Sequence, residues 1–244
     1  MKIFLIEQTD VGKVREINED FAGSWYNKAI DANLYCVADG MGGYGSGDIA
    51  SKIAVDSVIK DFALLQKDNL LPEKLIPFMF ENVQNRLRQY KNKNSLSMFG
   101  TTLALLIFRN DSIVCANIGD TRVYSFYQDK LVCESHDHNF AQELLCTGQI
   151  SEEQAKKHPR RHVLTQALTG EDSKVDPFFT LLPLDCNKTY LIATDGLYGM
   201  VDDPFIASIL SSFKPEEAAE KLLERAKENG GVDNITFQII TFQR

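Results

Sequence analysis

The chain has 244 residues, with 26 basic and 34 acidic side chains and a net charge of −8. This acid surplus argues against nucleic acid or an anionic membrane as the main partner. The apolar run after Met1-Lys2 is too short for a signal peptide, and no stretch is long and apolar enough to span a bilayer. Cys36, Cys115, Cys133, Cys146 and Cys186 are odd in number and lack CxxC spacing. They read as reduced thiols of a cytosolic protein, neither a disulfide frame nor a zinc site.

No linker or charge block divides the sequence, so one domain over 1–244 is expected. Residues 2–8 and 33–38 read as strands, the second a continuous apolar run from Leu34 to Ala38. Ile49, Ile53, Val58, Phe62 and Leu65 then recur at helical spacing. A second amphipathic helix is expected over 73–91, with Leu75, Met79, Val83, Leu87 and Tyr90 on one face and Pro77 in or near its first turn, or kinking it. From residue 100 the period changes. Segments 100–108, 112–118, 121–127 and 130–134 are rich in β-branched and aromatic residues, which predicts a meander of consecutive antiparallel strands. Helix returns over 137–157, with Ser151 and Gln154 as a capping box. Strands follow over 175–182 and 188–194. A helix over 215–228 opens with Pro215-Glu216-Glu217 and stops at Gly230-Gly231, before a last strand over 234–242. Strands in runs, without strict βαβ alternation, predict an α+β fold with sheets stacked face to face and helices outside.

Acidic residues recur where strands or turns should end: Glu19-Asp20, Asp39-Gly40, Gly119-Asp120, Asp195-Gly196 and Asp233-Asn234. Carboxylates gathered from across a fold repel one another unless a cation sits between them, and hard Mg²⁺ or Mn²⁺ prefers oxygen ligands. Val37-Ala38-Asp39-Gly40 and Ala193-Thr194-Asp195-Gly196 repeat one device, an apolar strand delivering Asp-Gly, and two such strands can meet at one end of stacked sheets. Asp10-x-Gly12-x-x-Arg15 adds a guanidinium able to hold phosphate oxygens bidentately. Each feature also has a plain reading, as a glycine turn, a surface ion pair or an Asp-Asn turn. Gly40-x-Gly42-x-x-Gly45 further satisfies a dinucleotide-binding pattern, although Asp39 would set a negative charge beside the pyrophosphate.

TDVGKVREINED, VADGMGGYGSGDIAS, MFGTTLAL, ANIGDTRVY, LIATDGLYG and GGVDNIT occur in the order and spacing of the metal-dependent serine/threonine protein phosphatases of type 2C. The chain resembles the compact bacterial branch over about residues 8–240. The resemblance implies a central β-sandwich of two antiparallel sheets flanked by helix pairs (αββα layers), with a helical flap over about 137–170 beside the active site. It implies two Mn²⁺ or Mg²⁺ ions bridged by Asp39, with the Gly40 carbonyl, Asp195 and Asp233 at the first and Asp20 facing the second. Glu19 and Asn234 would support these ligands. Asp120 with Asp195 would hold a weakly bound third ion, and Arg15 would grip the substrate phosphate.

The implied chemistry is direct attack of a metal-activated water on phosphoserine or phosphothreonine, with catalysis resting on positioning and charge neutralisation. No cysteine is followed six residues later by arginine, and no Asp-x-Asp pair occurs, so thiolate and aspartyl-phosphate routes lack their residues. Met41 stands where eukaryotic relatives carry a general-acid histidine. All four histidines (His136, His138, His158 and His162) fall in the flap, where a flap acid competes with a plain surface or structural reading. The expected protein is a cytosolic monomer acting on phosphoproteins and opposing a serine/threonine kinase. The alternative is a catalytically idle phosphoprotein-binding module on the same fold.

Overall fold

The computed structural model describes residues 2–43, 46–66, 71–109 and 111–242. Gly45 of the dinucleotide-like pattern lies outside them. One sheet has the order β1-β11-β10-β7-β8, formed by Ile3–Asp10, Ile235–Phe242, Thr189–Ala193, Arg122–Tyr127 and Lys130–Cys133. The other runs β2-β3-β5-β6-β9, formed by Asp20–Asn27, Ala32–Gly42, Leu103–Arg109, Ser112–Ile118 and Phe178–Pro183, with β4 (Phe99–Thr101) paired to the end of β3. Every pairing is antiparallel. Helices α1 (Gly47–Ala63) and α2 (Pro72–Asn94) cover the second sheet. α5 (Asp195–Tyr198), α6 (Asp203–Ser212) and α7 (Pro215–Glu228) cover the first.

The unbroken apolar run of β3 follows from burial on both faces, which removes the need for a polar side. Leu34, Cys36 and Ala38 pack toward α1 and α2, while Tyr35 and Val37 face the opposing sheet. β5 divides the same way, with Leu103, Leu105 and Ile107 outward and Ala104, Leu106 and Phe108 inward. Between the sheets Phe108 meets Tyr35, Tyr190 and Phe242 edge-on at 5.5, 5.4 and 5.8 Å. Such pairs add about 0.5–1.5 kcal/mol each beyond the burial of their area.

Several expectations need correction. The strands at 112–118 and 122–127 are not neighbours in a meander, because the chain changes sheets between β6 and β7. Side-chain type does not encode which strand is the partner, whereas Gly119 at φ +86 makes the redirecting turn. β2, not foreseen, is an edge strand exposing Ser24, Trp25 and Tyr26, so its apolar signal is weak. α6, also not foreseen, begins at Asp202, whose side chain accepts from Phe205 N at 3.0 Å, with Pro204 in the first turn. α2 starts at Pro72, one residue before the expected 73, and Pro77 lies inside it just past the first turn. The helical stretch over 137–157 is two short pieces, α3 (Phe140–Cys146) and α4 (Glu152–Lys156), so much of the flap is irregular. The Ser151–Gln154 capping box is present.

Candidate metal centre

Asp39 lies near the end of β3, fixed through its backbone. Its N–H donates to Thr102 Oγ1 at 2.9 Å, and its carbonyl accepts from Thr102 N and Thr101 Oγ1, each at 2.9 Å. Gly40 N donates to the Glu19 carbonyl at 3.0 Å. A Cβ on Gly40 would sit 2.0 Å from Gly47 O and 2.5 Å from Glu19 O, so only glycine lets the three backbones meet. Glu19 spends one carboxylate oxygen on Gly47 N at 3.0 Å, at the start of α1, where the helix dipole favours a negative charge. Asp20 faces Asp39 across the β2–β3 ladder.

The other sheet supplies the remaining acids. Thr194, at the end of β10, donates from Oγ1 to Asp20 Oδ2 at 3.0 Å and so ties the sheets together at the acids. Asp195 follows at the head of α5. A Cβ on Gly196 would lie 1.9 Å from Asn234 O, which sets Asp195 against the Asp233-Asn234 turn. Asn234 is a staple: Oδ1 accepts from Glu19 N at 2.8 Å, and Nδ2 donates to the carbonyls of Val11 and Ile17, both at 2.9 Å. Asp120 occupies the crossing turn between sheets, and Tyr198 OH donates to its carbonyl at 2.7 Å.

The sites named from sequence therefore converge. The mutual fields of their charges record it. Burial first, then Asp20, Asp195, Asp120 and Asp233, raise the Asp39 carboxyl well above its ordinary value. Burial, then Asp195 and Asp233, push Asp20 up to about 7 against the pull of its threonine hydrogen bonds. Burial, then Asp195 and Asp137, push Asp120 up to about 8, with Arg122 opposing. Arg15 Nη2 pairs with Asp233 Oδ2 at 2.8 Å, and the charges of Glu19 and Asp39 also reach it, so its proton is held more tightly than usual. Among the described residues no three or more acid, histidine or cysteine side chains close tightly enough to hold an ion as they stand. Unscreened carboxylates spread apart.

Sequence reasoning missed the groups that brace this cluster. Thr102 Oγ1 and Thr121 Oγ1 lie 2.6 Å apart, which links Asp39 to the Asp120 turn. Arg122 holds Asp137 through Nε at 3.0 and 3.1 Å and through Nη2 at 2.7 Å, bonds Tyr124 OH at 3.1 Å, and stacks 3.9 Å over Tyr198. One signal was available: ANIGDTRVY places a cation two residues after Asp120. Of the histidines, His138 is buried with Nδ1 3.3 Å from Gly119 O, and His136 and His158 pack on Phe178 and Phe140. His162 is the one that reaches an acid, with Nδ1 3.5 Å from Asp195 Oδ2. It joins Asp39, Met41, Asp120 and Asp195 around an open cleft of about 450 Å³ that flap residues 164–167 and Thr169 also line. Carboxylates from several strand ends, carbonyl oxygens and one guanidinium form a donor set suited to a hard divalent cation beside a phosphate.

Comparison with known proteins agrees. The family model for protein phosphatase 2C matches residues 12–226. A serine/threonine phosphatase stp of Listeria innocua is 35% identical over 239 residues, covering 96% of this chain and 93% of that protein. The solved serine/threonine phosphatase of S. agalactiae superposes with a TM-score of 0.90 at 28% identity, over 99% of this chain and 100% of the other. A serine threonine phosphatase catalytic domain, PstP, solved in complex with two manganese ions, superposes with a TM-score of 0.81 at 28% identity, over 98% and 97% of the two chains.

Proposed function

The chain belongs to the protein phosphatase 2C family, and from that premise we propose a serine/threonine phosphatase whose hydrolysis is centred on Asp39, between the two sheets. The observation that carries this reading is the meeting of Asp20, Asp39, Asp120, Asp195 and Asp233 in one mutually repelling cluster with Arg15 at its edge. Buried acids raised by each other's charge favour a cation that relieves them, and the all-oxygen donor set fits Mn²⁺ or Mg²⁺. In this reading Asp39, the Gly40 carbonyl, Asp195 and Asp233 would hold one ion, and Asp39 with Asp20 would hold a second. Asp120 with Asp195 would hold a weaker third. Two such ions supply charge neutralisation and lower the pKa of water from about 15.7 to about 7.

The chain's own residues do the rest. Arg15 turns from Asp233 to the phosphate, an exchange of one anion for another that keeps its charge paired. Asn234 fastens its turn to Glu19 N and to the carbonyls of Val11 and Ile17, and Glu19 binds Gly47 N, so the chain beside Asp20 and Asp233 is fixed; flap residues line the cleft. Met41 cannot donate a proton, so leaving-group protonation falls to solvent at the site or another side chain. We further assign the whole chain to one catalytic unit, acting as a cytosolic monomer on phosphoproteins and opposed by a serine/threonine kinase. An odd number of cysteines without CxxC spacing suits a reducing compartment, and among the described residues no helix is long and apolar enough to cross a membrane. No observation favours the idle binding module, since every acid of the motif set is retained.

The test is turnover of a phosphoserine peptide and of p-nitrophenyl phosphate by purified protein with Mn²⁺, with EDTA, and with Mn²⁺ restored. Full activity in EDTA would refute the reading.

A further inference from the structure

The two loops that carry Arg15 and Asp233 expose three aliphatic side chains beside the charged Lys13 and Glu16. Val14, Ile17 and Val232 expose 65, 49 and 49% of their surface. Scattered exposed aliphatics need no explanation, but these three flank one ion pair. Val14 adjoins Arg15, Val232 adjoins Asp233, and Ile17 lies two residues beyond Arg15. Their two loops are also fastened together. Lys13 N donates to Gly231 O at 2.7 Å, and Asn234 Nδ2 donates to Val11 O and Ile17 O. Gly12, at φ +81, lies so close that a Cβ there would sit 2.2 Å from Asp233 O. The rim is therefore held by backbone contact, and little ordering would be lost when a ligand covers it.

We propose that Val14, Ile17 and Val232 form a docking rim for the substrate polypeptide, selecting phosphorylated serines and threonines with aliphatic or aromatic neighbours. The proposal rests on the reading of Arg15 as the group that grips phosphate. A phosphoryl group held by Arg15 brings its own chain beside the rim. Each residue advances at most about 3.3–3.6 Å, so the first and second neighbours of the phosphorylated residue stay within about 7 Å of it and within reach of the side chains around Arg15. Aliphatic neighbours lose water against the rim and gain affinity.

The experiment uses the full chain with Mn²⁺ and paired phosphopeptides that differ only at the residues flanking phosphoserine, leucine and valine in one, serine and glycine in the other. The wild type should favour the apolar peptide by about tenfold in kcat/KM, carried by KM. Val14→Ser and Val232→Ser, both at exposed positions, should erase that preference and leave p-nitrophenyl phosphate turnover unchanged, and Ile17→Ser should act in the same direction. Equal wild-type rates on the two peptides would overturn the proposal. So would variants that lose the same factor on p-nitrophenyl phosphate, or a dimer abolished by Val14→Ser while peptide preference persists, which would assign the rim to self-association. A wild type that hydrolyses neither peptide nor p-nitrophenyl phosphate would refute the phosphatase reading itself, and the docking rim with it.

Discussion

Replacing Asp20 by asparagine should stabilise the metal-free protein as the pH rises, even though it removes a proposed ligand. Asp20 is 6% exposed and accepts from Thr194 Oγ1, a bond that an asparagine carbonyl can also accept. Burial and the charges of Asp195 and Asp233 lift its carboxyl from 3.8 to about 7. Between those values the folded chain keeps a proton that the unfolded chain has released. The stabilisation carried by the protonated form is therefore complete below pH 3.8, falls with rising pH, and is gone above about 7. From pH 5 to pH 8 the loss is about 3 kcal/mol, at about 1.4 kcal/mol per pH unit. In a chain of this size it amounts to about 6–12 °C in Tm. Asparagine does not titrate, so scanning fluorimetry in EDTA should find the variant's Tm gaining on the wild type by that amount over the same range. Mn²⁺ at about 100 times its Kd should return about 2.7 kcal/mol per bound ion to the wild type and less to the variant, which lacks the Asp20 ligand proposed for the second ion. A Tm difference that stays constant from pH 5 to pH 8 would refute the argument that these acids are held together against their repulsion.

Asp39→Asn and Asp233→Asn should each lower Mn²⁺-dependent hydrolysis of p-nitrophenyl phosphate by on the order of 100-fold or more, with circular dichroism unchanged. Loss of the fold instead would make these acids structural. Asn234→Ala deletes three hydrogen bonds that join β11 to the Arg15 loop. At about 1 kcal/mol each it should cost about 3 kcal/mol in urea unfolding. Arg122→Met leaves Asp137, with a side chain 6% exposed, without its partner. It should destabilise by about 3–5 kcal/mol and raise the Mn²⁺ concentration needed for half-maximal rate, because Asp120 shares the same turn. Unchanged metal dependence in a folded Arg122→Met protein would separate that brace from the site.

Strands buried on both faces announce themselves, which is why β3, β5, β10 and β11 could be read from uninterrupted or alternating apolar runs. α7 was equally legible, since Pro215 opens it and Gly230-Gly231, both at positive φ, close it. β2 and α6 were hidden for opposite reasons. The edge strand carries serine, tryptophan and tyrosine outward, and the helix is only ten residues long, Asp203–Ser212. The sheet change after β6 could not be read at all, because strands from either sheet bury the same residue types. That change decided part of the site, since it brings Asp120 and Arg122 to the acids. The motif residues were legible one by one. The bracing by Thr102, Thr121, Thr194 and Tyr198 was not, because it depends on register and on which strand ends coincide.

That bracing explains how a repelling cluster persists in a folded chain. The bonds that fix Asp39 run to its N–H and carbonyl. Asp120 is held through its carbonyl by Tyr198, and Asp195 through its carbonyl by Gly199 N at 2.7 Å. Holding an acid by its backbone sets where the carboxylate must be without neutralising it, so the charge stays available to a cation. Stacking the two sheets brings the acids into range, driven by the buried Tyr35, Leu106, Phe108, Tyr190 and Ile192 between them. Apolar burial there, at about 25 cal/mol per Å², opposes a repulsion of a few kcal/mol. The inter-sheet core thus positions the proposed metal ligands. A cavity cut there, by Phe108→Ala for example, should cost about 3–5 kcal/mol in urea unfolding, and in whatever fraction of chains it unfolds the acids no longer meet.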